Sequence, residues 1–232
     1  MSRLVLSSTL ACLCACGGVA QKRRTFPVEV THAAPAAAND SGWAVTLTKA
    51  TAKVAPVRFF TGKVLLSSRW EFDPYLLIGG TAWAHPGHYL QGDALGELLT
   101  PKDLDLLAAT PTELGLAEAV TGDYGSMQLT LDTVQLAGTA TKDSVTVKFD
   151  TGAFTPPAPI EGVRFEKILE DEKGTARLTA LTSVWLSRID FSTAGTPNAD
   201  GVSVFSSDSV AFNGFVRGVL DTSAYDVKWV AP

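Results

Sequence analysis

Hydrophobic residues recur at every second position along most of this chain, and that period decides what it can fold into. Trp43, Val45 and Leu47 alternate with Ala44, Thr46 and Thr48. Val57 and Phe59 share a face, and Val64 and Leu66 follow Gly62. Alternate side chains of a strand point to opposite faces, so each such segment is read as a half-buried strand. Met127, Leu129 and Leu131 hold one phase while Val134 and Leu136 hold the other, which predicts a bulge between them. Val145 to Phe149, Val163 to Leu169, Thr175 to Phe191, Val210 to Leu220 and Tyr225 to Trp229 read as further strands. Met127 is assigned to the core beside Leu129 and Leu131.

One region departs from that period. Between Leu99 and Thr121, Thr100-Pro101 resembles an N-cap followed by proline at the first helical position. Thr110-Pro111-Thr112-Glu113 fits a capping box, and Leu114, Ala117 and Val120 line one helical face. The expectation is a mainly β chain, an antiparallel β-sandwich or jelly roll of about eight to ten strands, with a short two-helix insertion at Leu99–Thr121.

The N-terminal residues are read as an export signal. Arg3 precedes an apolar run from Leu4 to Ala15 that is too short to span a bilayer. Leu13-Cys14-Ala15-Cys16 resembles the lipobox of bacterial lipoproteins, with an aliphatic residue, two small residues and a cysteine. The resemblance implies lipid on Cys16, a membrane anchored through it, and a place in the bacterial cell envelope. An ordinary secretory peptide cut after Ala15 or Ala20 is the alternative. The expected organisation is a signal at 1–20, a flexible tether at 21–41 rich in Ala and Pro, and one β domain over 42–232. All three cysteines fall in the signal, so no thiolate or disulfide is expected in the domain. A net charge of −5 argues against nucleic-acid binding, because phosphate contacts need clustered cations.

Gly79 to Leu98 is the stretch most like a site. His85-Pro86-Gly87-His88 sets two imidazoles about a turn, with Trp83, Tyr89, Asp93 and Glu97 nearby. Neutral imidazole suits copper or zinc, and with no cysteine the remaining ligands would be carboxylate or water. His85, His88, Asp93 and Glu97 are therefore the candidate metal ligands, with copper first and zinc second, and Trp83 and Tyr89 as flanking aromatics. Trp83-Ala84-His85 resembles the Trp-x-His element of secreted copper-binding proteins of methane-oxidising bacteria. That resemblance implies a tryptophan-derived group beside a histidine-bound copper ion. A cupin site would need a third histidine, and none follows His88. No serine-hydrolase elbow, zincin motif or phosphate loop is present. The loop Pro197 to Gly201 lacks the ligand count of an EF-hand. The alternative to metal is a structural turn on a lipoprotein that binds a protein or a glycan.

Overall fold

In the computed structural model of the chain, residues 21–33, 38–65 and 88–232 are described. The chain is mainly β, with one large sheet and two helices, a sandwich-like fold with short helical insertions.

The sheet is organised by its two longest strands, β2 (Ala44–Phe60) and β8 (Gly122–Lys142), which pair antiparallel over most of their length. Each is long enough to take two different partners along its other edge. β2 pairs first with β6 (Lys102–Asp105) and then with β5 (Ala94–Leu98). β8 pairs with β10 (Ile160–Leu169) near its start and with β9 (Val145–Asp150) at its end. From β5 the sheet runs on through β7 (Thr112–Val120), β1 (Arg23–Ala33), β11 (Thr175–Leu181) and β13 (Tyr225–Val230). It curls until β13 packs against β10 without pairing to it. At the other extreme β12 (Val202–Val204) adds to β9 in parallel. β3 (Val64–Leu65) and β4 (His88–Tyr89) form a separate two-stranded ladder.

The inner face of the curled part is closed by aromatic edges. Phe26 meets Phe59 at 5.2 Å and Trp229 at 5.3 Å, and Phe59 meets Phe165 at 5.3 Å. Phe59, Phe165 and Met127 are essentially inaccessible, as expected for Met127. A second aromatic group, Phe149, Phe191 and Phe205, fills the far end, and α2 (Val210–Leu220) packs against the Phe191–Thr193 turn and against α1 (Thr182–Ser187). The expected bulge in β8 is present. Thr133 pairs Lys53 and Leu131 pairs Val54, which leaves Asp132 as the extra residue and flips the phase between Leu131 and Val134.

Three expectations are corrected. The tether assigned to 21–41 holds β1, an interior strand between β7 and β11, with Phe26, Val28 and Val30 buried. Pro27 is tolerated within it because pairing with β11 begins only at Val28, so the missing N–H disrupts no bond there. The helices assigned to Leu99–Thr121 are strands β6 and β7. A bulge pairs Val28 with Gly115 and Glu29 with Glu113, which leaves Leu114 over. The resulting three-residue spacing from Leu114 to Ala117 imitates a helical face. The helices lie instead where strands were expected, at α1 and α2. In α2 the buried positions are Ala211, Gly214, Phe215, Gly218 and Val219, a period of 3.6 carried largely by residues too small to register as hydrophobic. Ser209 caps it by accepting from Phe212 N at 3.1 Å.

Candidate functional site

The residues proposed from sequence are only partly within the described part of the chain. Cys16, Trp83 and His85 lie outside the described residues. The backbone of His88 is paired to Leu65, and that of Tyr89 to Val64. The ladder continues through Gly62 N to Gln91 O (3.0 Å) and Thr61 N to Asp93 O (2.9 Å). Glu97 lies opposite Arg58 in the pairing of β5 with β2 and makes an ion pair with it at 3.7 Å. Asp93 lies opposite Thr61, four residues from Leu65, and its backbone is tied to the Thr61 hydroxyl at 2.9 Å. Among the described residues no three His, Cys, Asp or Glu side chains converge as a metal group.

A different site emerges at the end of β2 and β8. There a groove of about 480 Å³ lies between the β8–β9 hairpin, the Asp190–Ser192 turn and the 195–203 loop. Each wall follows from local chemistry. The hairpin turns on two residues, Asp143 and Ser144, with Asp143 at φ +53°, the left-handed conformation such turns require. Asn39 clamps the approach to Trp43. Its Oδ1 accepts from Ser41 N (3.1 Å) and Trp43 N (2.9 Å), and its Nδ2 donates to Leu186 O (3.0 Å) and Ile189 O (2.7 Å). Asn198 Oδ1 accepts from Asp200 N and Val202 N, both at 3.0 Å, so its amide oxygen closes its own loop.

Asp190 is the polar centre of this groove. Its Oδ1 accepts from Ser192 Oγ (2.8 Å), Ser192 N (3.0 Å) and Trp43 Nε1 (3.2 Å). The Ser192 hydroxyl, then the Ser192 amide, hold its carboxyl below the usual carboxylate range against the opposing effect of burial. Trp43 and the Lys142 charge contribute in the same direction. Lys142 Nζ donates to Ser41 O at 2.8 Å. Thr146, Lys148 and Ser203 add hydroxyls and a second ammonium group to the lining. Beneath them Trp43, Phe191 and Phe149 are buried, with Phe149 and Phe191 4.8 Å apart, so the floor is a packed core.

The sequence reading missed Asp190, Ser192 and Lys148. Asp-x-Ser is visible as a local capping pattern, but nothing local brings it beside Trp43, 147 residues earlier. Comparison of the chain with family models, with curated proteins and with solved structures finds no match.

Proposed function

We propose that this chain is a lipid-anchored extracytoplasmic binding protein whose groove takes a hydroxyl-rich ligand of the glycan class. The observation that carries the reading is Asp190, an ionised acceptor set among hydroxyl and ammonium donors in a space of ligand size. A sugar hydroxyl both donates and accepts, so it satisfies a carboxylate on one side and Ser192, Thr146 or Lys148 on the other. Desolvating such a mixed lining is offset only by a ligand that restores both kinds of bond. Anchoring rests on the lipobox-like Leu13-Cys14-Ala15-Cys16. Among the described residues no helix is long and apolar enough to cross a membrane.

The test is saturation-transfer NMR of the full-length protein with a panel of neutral and acidic oligosaccharides. Wild type should show transfer from at least one, and Asp190→Asn and Lys148→Ala should each weaken its binding, with Asp190→Asn causing about a tenfold loss, the ~1.4 kcal/mol scale of a charge-assisted hydrogen bond. No transfer from any saccharide, or transfer unchanged in both variants, rejects the groove reading. A second reading, copper or zinc held by His85 and His88, is supported by the His-Pro-Gly-His sequence and by the fixed place of the His88 backbone in the β3–β4 ladder. Metal retained after loading and dialysis by wild type, and lost in the double alanine variant, would favour it.

A further inference from the structure

Resting on the reading of Cys16 as the lipid-bearing residue, we infer that the domain stands end-on at the membrane. The rim around the start of β1 meets the phospholipid surface, and the groove faces away. Paired structure begins at Lys22, whose N–H donates to Thr121 Oγ1 at 3.1 Å and whose carbonyl accepts from Thr121 N at 2.9 Å. Cys16 and Lys22 are six residues apart, so the lipid is at most about 21 Å from Lys22, the span of a fully extended link.

The rim at that point has the composition of an interface. A cleft of about 490 Å³ lies between Gln21 and Lys22, the Thr121–Asp123 turn and the end of β10. Ile168 lines it and is 64% exposed. Around it Lys22 and Arg24 are paired to Asp171 at 3.2 and 3.4 Å, Asp123, paired to Lys63 at 3.6 Å, and Glu170 also line the cleft, and exposed Arg23 and Lys173 make no ion pair among the described residues. An outward apolar side chain beside long cationic ones suits the headgroup region. The alkyl stems enter the apolar boundary and the charges stay with anionic headgroups.

The groove lies at the other end of β8, which begins with Gly122 at the cleft and ends with Lys142 in the groove. Its 21 residues follow a contour of at most about 66 Å at ~3.3 Å per residue. The link from Cys16 cannot bring the groove end to the surface with the domain upright, so a ligand would reach the groove from the aqueous side.

Position-specific quenching tests this. Full-length protein carrying a single fluorophore, introduced through Ile168→Cys or Lys173→Cys at the rim and through Asp143→Cys or Val145→Cys at the groove, is reconstituted into phosphatidylethanolamine–phosphatidylglycerol vesicles with nitroxide-labelled headgroups. All native cysteines lie at or before Cys16, so the label is unique within the domain. Both rim labels should be quenched several-fold more than both groove labels. Equal or reversed quenching on membrane-bound protein overturns the orientation while leaving the anchor intact. If wild type and Cys16→Ser partition alike, the anchor reading fails and the orientation with it.

Discussion

At the scale of single residues, the charged groups that bear on this fold are those given a definite geometry. Asp190 is held by a hydroxyl, an amide and an indole, and Glu172 by Lys167 at 2.5 Å. Glu172 sits in the β10–β11 turn, and its carboxyl is pulled down to about 2, chiefly by the Lys167 hydrogen bond. A carboxyl whose folded pKa lies below its unfolded value of about 4.3 stabilises the fold above that value. That contribution is lost as pH falls from about 4.3 towards 2. Acid titration of stability should therefore show a steeper limb in that window for wild type than for Glu172→Gln, read from urea midpoints at successive pH values. Identical limbs would show that the Lys167 contact is spent on solvent screening, as exposed pairs often are.

Elements in this molecule are decided by what they pack against. α1 and α2 approach closely because α2 presents glycine where they cross. A Cβ added at Gly218 would lie 2.5 Å from Trp185 O and 2.7 Å from Val184 O. Those are backbone atoms and cannot swing aside. Alanine is the better helix former by about 1 kcal/mol, yet overpacking of this kind costs about 1–3 kcal/mol, so the clash should win. Gly218→Ala is expected to lower the melting temperature by a few degrees, about 2–4 °C per kcal/mol at this size. Val210→Ala, 66% exposed on the first turn, should stay within about 0.5 kcal/mol of wild type. A variant at Gly218 that melts as wild type would mean that the two helices part without cost.

For the molecule as a whole, the position of β1 matters most. It is hydrogen-bonded on both edges, to β7 antiparallel and to β11 in parallel, and its Glu29 is ion-paired to Arg177 of β11. Burial of Phe26, Val28 and Val30 contributes about 5–9 kcal/mol at ~1.5–3 kcal/mol per side chain, comparable with the ~5–15 kcal/mol net stability of a domain. A chain starting at residue 42 should consequently fail to give a cooperative melt by circular dichroism, whereas a chain starting at 21 should give one. If the shorter chain melts as sharply as the longer, β1 is an accessory strand and the boundary near residue 42 stands.

What the sequence determined by itself was whatever is local and periodic. Alternation marked β2, β9, β10 and β13, and the phase flip between Leu131 and Val134 marked the bulge at Asp132, because side-chain direction alternates whatever the strand pairs with. Tertiary structure decided the rest. Leu114 to Ala117 is helical in spacing and becomes a bulged strand only because β1 lies alongside. Residues 210–220 are strand-like in hydrophobicity and become a helix because Gly214 and Gly218 fit against the 184–189 backbone. The His-Pro-Gly-His motif drew notice because its chemistry is contiguous, while Glu97, close to it in sequence, is ion-paired to Arg58 across the sheet. The groove, by contrast, joins Trp43, Lys142 and Asp190 from three distant parts of the chain. A long-range juxtaposition leaves no period or spacing in the sequence, since it is created by the pairing of β2 with β8 and by the core on which both rest.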